Sequence, residues 1–564
     1  MRFLRLSLQN FRSFGPGPVE IELPENENIV ALVGANNAGK SNVIDALRLV
    51  LASGRRYSAD PSDFHRLDVS EEMRIELHLR TPLKRENIFR KVDEVHGFYL
   101  RAWQADRAPD KGQLKTQHYG LDASGDTFRQ PTVARRRATG EHLPPDAEPV
   151  RYDPVPASTL VRQLGRVHFL SPSLYRAFDT SGYGVLAQLL DLYREDFHAA
   201  GNLYELAHSG EVVPRTAAYQ RLTKVMSDIL RTPYLATLEE ALGENLRSVL
   251  GPTASGATVA VQMPTAEELL ADVLRLRVQD DVHSPQLPID RLGAGYQSLL
   301  RMAILRTYAE LAPENSQPSV FLIEEPEAYL NPHLRRYFRT TITALADGDN
   351  DVILTTHDPA FVSLTDYRTV LRITKTEGRS SAHRCTNELD FAYERVAQKL
   401  RRGGNAEVLF AQLAILCEGQ DDVAFVRALL ERVGGDPDSR SISIIDCGGR
   451  ENLPDYIALL DQLKVDVVVI TDGDKTTAEN DEKTAEKVRK VQEAAGDRAV
   501  RFIEDIETAL GTEKSRGNAS RLVAIAEELD LANLPPEIQA LRDRLVAVCP
   551  PPTDDRPDQD KGTA

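Results

Sequence analysis

The sequence predicts an α/β protein built from a P-loop nucleotide-binding domain with a helical insert and a smaller C-terminal α/β domain. Three observations carry this prediction. A short apolar strand, Ile29 to Val33, runs straight into Gly34-Ala35-Asn36-Asn37-Ala38-Gly39-Lys40-Ser41, and Val43, Ala46, Leu47 and Val50 then recur at helical spacing. Strand–helix alternation restarts beyond Arg401-Arg402-Gly403-Gly404. Paired carboxylates stand at the ends of three of those later strands.

The 564 residues, 41% hydrophobic and 27% charged, have the make-up of a soluble globular chain of about three to four domain-sized units. No apolar run approaches the roughly 18 residues that a membrane span needs. The N-terminus lacks the apolar core of a signal peptide, so a cytoplasmic location and no membrane partner are expected. Cys385, Cys417, Cys447 and Cys549 lie far apart with no Cys-x-x-Cys, which excludes a zinc ribbon or a disulfide framework. The 68 basic and 85 acidic residues give a formal charge of -17. Bulk charge therefore does not advertise nucleic-acid binding, although a local basic groove is compatible with it.

Residues 3–14 alternate apolar and polar and read as an edge strand and turn, followed by strands at Val19 to Leu23 and Ile29 to Val33. Another strand is expected over 72–81. Residues 105–157 are polar, carry Arg135-Arg136-Arg137 and hold five prolines from Pro144 to Pro156, so surface loops are expected. Helical spacing over about 171–257 indicates an inserted helical subdomain. Alternation resumes at about 258 and includes a helix from Leu299 to Leu311. The C-terminal domain reads as strand 413–417, helix 423–433, strand 441–445, helix 454–463, strand 465–470, helix 480–494, strand 499–503 and helix 519–529. The expected organisation is 1–170 and 258–400 for the ATPase domain, 171–257 for the insert, 405–549 for the second domain and 550–564 for a disordered tail.

Each motif carries a chemical expectation. In the P-loop pattern, glycines let backbone amides wrap phosphates at a helix N-terminus; Asn36, Gly39, Lys40 and Ser41 are the binding candidates. Lys40 reaches the outer phosphates and Ser41 ligates Mg²⁺. The strand Ser319 to Ile323 ends in Glu324-Glu325-Pro326-Glu327, giving Glu324 to the metal and Glu325 to the attacking water. A further strand, Val352 to Leu354, delivers Thr355-Thr356-His357 towards the γ-phosphate. Gly293, Gly295 and Ser298 form a glycine-rich turn entering a helix.

In the C-terminal domain, Glu418 and Asp422 follow one strand, Asp472 and Asp474 a second, and Asp505 and Glu507 a third. Strand ends of an open α/β sheet share one edge, so the three sets are expected to converge there. Such oxygen donors suit hard divalent cations and two Mg²⁺ (or Mn²⁺) ions about 4 Å apart, as in phosphodiester cleavage.

The order P-loop, glycine-rich turn, Glu-Glu-Pro-Glu and Thr-Thr-His, with the opening Asn10-Phe11-Arg12, resembles ABC-type ATPases of the SMC and RecF-like group. That resemblance implies ATP-dependent contacts in which Gly293, Gly295 and Ser298 touch nucleotide across an interface, although the turn departs from the usual Ser-Gly-Gly form. Glu418-Gly419, Gly448-Gly449 and Asp472-x-Asp474 on a β-α-β-α-β frame resemble the Toprim fold. The two together are similar to the OLD (overcoming lysogenisation defect) family of ATP-dependent endonucleases, a group that includes the Gabija anti-phage nuclease subunit. This implies ATP, Mg²⁺ or Mn²⁺, DNA as substrate, homo-oligomerisation through the insert, and for some relatives a UvrD-like helicase partner. The first metal cluster falls on Glu418, Asp422, Asp472 and Asp474, and the second on Asp505 and Glu507; Asp422 stands where many relatives have Glu. A downstream basic residue, Lys514 or Arg516, would stabilise the transition state. No winged-helix segment carries a topoisomerase tyrosine and no zinc ribbon marks a primase. Water is thus the expected nucleophile, with Glu418 assisting proton transfer. The alternative from a different class is an ATP-gated DNA clamp with a silent Toprim domain.

Overall fold

The computed structural model describes residues 1–25, 27–52, 57–87, 91–105, 113–132, 151–171, 201, 203–206, 209–230, 277–278, 287–288, 291–311, 318–347, 350–362, 367–385, 400, 405–472, 481–502, 505–512 and 519–550. The chain divides into two compact units, Met1–Val167 with Gln317–Ala564, and His168–Ser316.

In the first unit an antiparallel sheet forms from β1 (Phe3–Gln9), β2 (Val19–Glu22), β4 (Met73–Glu86), β5 (Val92–Gln104) and β6 (Leu114–Leu121) in the order β2-β1-β4-β5-β6. The alternation of Met73, Ile75, Leu77 and Leu79 buries one face of β4, as a period of two requires. Pairing on both sides places β1 inside this sheet, which corrects its expected edge position. The strand expected over 72–81 runs on to Glu86. The expected loops at 105–157 hold β6 and a small antiparallel pair, Arg129–Thr132 with Arg151–Pro154. The polar residues Lys115, Gln117 and His118 concealed β6 because it pairs with β5 without an apolar stripe of its own.

The second sheet holds β3 (Ile29–Val33), β7 (Val320–Glu324), β8 (Asp351–Thr355), β9 (Val370–Thr376) and β10 (Arg379–Arg384), running β10-β9-β3-β8-β7. All pairs are parallel except β9–β10. β3 and β8 are buried along their whole length, the mark of strands covered on both faces. Helix α1 (Lys40–Val50) buries Val43, Ile44, Leu47 and Val50, and α2 (Pro332–Asp347) buries Phe338, Ile342 and Leu345. Arg2 ties the two sheets together, donating to Asp351 at 2.7 Å and to the carbonyls of Pro318 and Ser319 at 2.8 and 2.9 Å.

A fully parallel sheet follows, β11 (Leu413–Cys417), β12 (Ile442–Asp446), β13 (Asp466–Thr471) and β14 (Ala499–Arg501), in the order β12-β11-β13-β14. Helix α3 (Gln420–Arg432) covers one face together with α7 (Ala519–Glu528) and α8 (Pro536–Val548), around Phe425, Leu429, Leu522 and Leu541. The last of these helices adds to the expected elements and begins at Pro535-Pro536, since Pro is well tolerated at a helix start. On the other face lie α4 (Leu453–Gln462) and α5 (Asp481–Ala495). Strand β14 ends at Arg501, two residues short of the expected 503, and the four-residue α6 (Ile506–Ala509) begins beyond it. The apolar cluster on this side is shared with the ATPase sheet: Val33, Val362, Tyr367 and Val370 join Leu409, Leu416, Tyr456 and Leu459 in one core. Each fully buried Leu or Val there contributes about 1.5–3 kcal/mol, so this junction is a substantial packed interior.

In the second unit the described residues include a hairpin, Leu203–Glu205 with Val212–Pro214, and helices Arg215–Leu230 and Ala294–Leu311. The latter starts five residues before the expected Leu299. Most of the expected insert over 171–257, the basic triplet Arg135–Arg137 and the tail lie outside the described residues. Among the described residues no helix is long and apolar enough to cross a membrane.

Candidate active site

At the end of β3 the chain turns at Gly34 with φ +136°, where an added Cβ would sit 2.2 Å from the carbonyl oxygen of Ile373. Gly39, φ +109°, is the N-cap of α1, and a Cβ there would lie 2.6 Å from both Ser13 Oγ and Ser380 Oγ. No side chain caps the first turn of α1, so the positive end of its dipole is left for a ligand. Asn36 and Ser41 are exposed on the same loop and turn. Lys40 is buried, its Nζ donating to the carbonyls of Gly34 and Ala35 at 2.9 Å each. Burial lowers its pKa to about 8, against the opposing pull of Glu325 and Glu327.

The loop is braced from outside by residues without an assigned role in the sequence reading. Ser380 donates to the carbonyl of Ala38 at 2.6 Å, and Asn42 donates to Ser13 Oγ at 2.7 Å. Arg12 pairs with Asp45 on α1 and with Asp63. The opening Asn10-Phe11-Arg12-Ser13 turn thus works as a buttress for the P-loop helix.

Parallel register brings the ends of β7, β8 and β3 together: Glu324 is opposite Thr355, and Thr355 is opposite Leu32. Glu325 adopts φ +42°, and its N–H donates to the carbonyl of Thr355 at 2.9 Å. Its Oε1 lies 4.0 Å from His357 Nε2. The N–H of His357 donates to Glu327 Oε1 at 2.6 Å. Glu327 is buried, which raises its pKa, and its Oε2 has no hydrogen-bond partner among the described residues. Burial, reinforced by Lys40, lowers the pKa of His357 and keeps the imidazole neutral near pH 7. Glu327 is the residue whose part was missed: the acidic run was legible, but burial of its last member was not.

Gly293, Gly295 and Ser298 lie in the second unit, at the start of the helix Ala294–Leu311. The carbonyl of Gly293 accepts from the N–H of Gln297 at 3.0 Å, and Ser298 Oγ accepts from Arg301 at 2.6 Å.

In the parallel sheet, Glu418 directly follows β11. Its Oε1 accepts from Arg450 Nε at 2.9 Å, Thr471 Oγ1 at 2.6 Å and the N–H of Asp472 at 3.0 Å. Asp422, on the first turn of α3, accepts the N–H of Gly419 at 2.9 Å. Burial first, then the charges of Glu418 and Glu507, push its carboxyl up to about 7. Glu507 is buried on the first turn of α6, and Asp505 caps that turn by accepting the N–H of Thr508 at 2.8 Å. The structure therefore brings Glu418, Asp422, Asp472 and Glu507 to one sheet edge. Asp474, Lys514 and Arg516 lie outside the described residues. Among the described residues no three His, Cys, Asp or Glu side chains are already gathered into an ion-holding group.

Arg450, the partner of Glu418, is nearly buried and was also missed. In sequence it stands beside Gly448-Gly449, the pair that contributes to the Toprim resemblance. Glu418, Asp422, Asp472 and Glu507 offer only oxygen donors, and the charges of Glu418 and Glu507 add to burial in raising Asp422, a donor set that fits a hard divalent cation.

Comparison with known proteins adds three matched regions. Residues 409–474 match the overcoming lysogenization defect protein-like Toprim domain, residues 221–362 an AAA ATPase domain, and residues 5–130 an AAA domain. The OLD nuclease of Thermus scotoductus is 25% identical across 95% of this chain and 98% of its own length. The chain joins an AAA-type ATPase to an OLD-like Toprim domain. The Old nuclease of Escherichia phage P2 is 21% identical, over 84% of this chain and 77% of that one. Among solved structures, an Smc head bound to the C-winged helix domain of ScpA aligns with a TM-score of 0.36 and 16% identity, over 69% of this chain and 98% of its own.

Proposed function

We propose that the chain is an ATP-dependent DNA endonuclease in which the Toprim domain hydrolyses phosphodiesters under control of the ATPase. The observation that carries the reading is the gathering of Glu418, Asp422, Asp472 and Glu507 at one sheet edge, in the same compact unit as the P-loop.

In the ATPase, the α1 amides and Lys40 bind the outer phosphates once Lys40 leaves the carbonyls of Gly34 and Ala35. Ser41 and Glu324 would hold Mg²⁺. Glu325 orients the attacking water, and neutral His357 contacts the γ-phosphate. Gly293, Gly295 and Ser298 meet nucleotide bound to another copy of the chain.

In the Toprim domain, Glu418, Asp422, Asp472 and Asp474, with Asp505 and Glu507, would hold two divalent ions. When bound, Mg²⁺ or Mn²⁺ supplies positive charge for the attacking and leaving oxygens. Glu418 takes the proton of the attacking water as its oxygen bonds to phosphorus and the ester P–O bond breaks. Lys514 or Arg516 donates to the phosphate. The same reading extends to phage defence or DNA processing, to homo-oligomerisation and to a UvrD-like helicase partner.

Cleavage of supercoiled plasmid with Mg²⁺ or Mn²⁺, with and without ATP, tests it. Wild type is expected to cut while Glu418→Ala and Asp472→Ala do not, and Lys40→Ala reports the coupling to ATP. ATP hydrolysis and DNA binding with no cleavage under either metal would replace the nuclease with a clamp.

A further inference from the structure

Beside the imidazole of His357 stands an aromatic residue from the start of the Toprim domain, Phe410. The rings of His357 and Phe410 stack with centroids 6.5 Å apart and planes inclined by 27°, within the range of favourable aromatic pairs. The imidazole is otherwise set by its backbone N–H on Glu327 and by Glu325 beside Nε2, while Lys40 faces it as a charge. Phe410 closes the short turn Asn405–Leu409, its N–H donating to the carbonyl of Glu407 at 2.9 Å.

The next residue is held from the ATPase side. Arg372 on β9, buried and in register with Val33 at the mouth of the P-loop, donates to the carbonyl of Ala411 at 2.6 Å. The same guanidinium donates to the carbonyls of Leu463 at 2.9 Å and Lys464 at 2.5 Å. Segment 410–411 is therefore held against the ATPase sheet by one bond of the Arg372 clamp, whose other two bonds hold the turn at 463–464. Beyond it, β11 leads directly to Glu418.

We infer that Phe410 is a positioning residue for His357, so that the Toprim domain supplies one wall of the ATP site. The ring limits the imidazole to the orientation in which Nε2 lies 4.0 Å from Glu325 Oε1 and feels the charge of Lys40. Without it the imidazole gains rotamers that do not meet the γ-phosphate, and turnover falls while nucleotide binding through the P-loop persists. The inference rests on the ATPase reading given above.

The test is steady-state ATP hydrolysis by the full chain, comparing wild type with Lys40→Ala, Phe410→Ala, Phe410→Leu and Phe410→Tyr, with thermal unfolding of each. Phe410→Ala and Phe410→Leu are expected to lower kcat about tenfold with KM within about twofold of wild type. Phe410→Tyr, which keeps the ring, is expected to stay close to wild type. Leucine keeps apolar volume without a ring face, so wild-type turnover in Phe410→Leu overturns the inference even where Phe410→Ala is poorly folded. Equal loss in all three Phe410 variants, or a loss shared between KM and Tm, also overturns it by reducing the residue to packing. A wild type without ATP turnover, or one matched by Lys40→Ala, removes the ATPase reading and the inference with it.

Discussion

Thr471 and Arg450 converge on a single atom, Oε1 of Glu418, from 2.6 and 2.9 Å. The pair is largely withdrawn from solvent, with Arg450 8% and Glu418 17% exposed, so losing the cation leaves a carboxylate poorly compensated. Arg450→Gln is expected to cost about 3 kcal/mol in urea unfolding of the metal-free protein. Thr471→Val, which removes one hydrogen bond, is expected to cost about 1 kcal/mol. In the proposed metal site a divalent cation would take over the neutralisation, so Mg²⁺ should raise the Tm of Arg450→Gln by more than that of wild type. An equal shift in both proteins would separate Arg450 from the metal site.

Asp422 makes the Toprim site pH-dependent. Its carboxyl is raised from 3.8 to about 7 by burial and by Glu418 and Glu507, so the folded protein holds the proton more tightly than the unfolded chain. The stability from that protonated carboxyl is complete below about pH 4 and is lost as the pH climbs towards 7. Metal competes with the same proton. Calorimetric titration with Mg²⁺ or Mn²⁺ should show affinity rising with pH up to about 7 and levelling above it, by up to about tenfold per unit below. Asp422→Asn should flatten this dependence; a slope unchanged in that variant would assign it to another group.

Gly39 cannot accept a side chain. Gly39→Ala would put a methyl 2.6 Å from two serine oxygens at φ +109°. It is expected to abolish nucleotide binding, read by loss of ATP-induced thermal stabilisation. Lys40→Met should also abolish turnover, yet raise the Tm of the nucleotide-free protein at neutral pH. The reason is the sign of the Lys40 shift: with its folded pKa lowered from 10.5 to about 8, stability is lost as pH falls from about 10.5 to about 8 and stays lost at neutral pH. A nucleotide-free Lys40→Met protein less stable than wild type at pH 7 would contradict this.

Arg372→Met leaves the carbonyls of Ala411, Leu463 and Lys464 without their donor in a buried junction. The expected cost is about 3 kcal/mol, with the ATPase and Toprim parts unfolding in separate transitions by calorimetry. A single transition at the wild-type temperature would show that the apolar core alone holds them together.

Much of this was legible from the chain. The P-loop announced itself because Ile29 to Val33 is apolar throughout and is followed by glycines whose positive φ values only that residue type tolerates. Glu418, Asp422 and Asp472 were legible because strand ends in a parallel sheet face one edge. What stayed hidden depends on long-range burial: Arg450 is 32 residues from Glu418, and Glu327 meets His357 across 30. Strand β6 was hidden for a related reason, since its polar residues satisfy a pairing partner rather than a pattern. Phe410 looked like any apolar residue ahead of a strand.

The clamp made by Arg372 grips only main-chain oxygens. Its three acceptors persist whatever side chains occupy 411, 463 and 464, so neutral drift at those positions leaves the junction intact. The polar part of the joint is thus encoded by one side chain, while the apolar core around Leu409, Leu416, Tyr456 and Leu459 draws side chains from both halves. A Toprim domain grafted behind this ATPase meets the clamp with the backbone course of two turns alone, and the matching it has to supply is confined to the apolar side chains of the shared core.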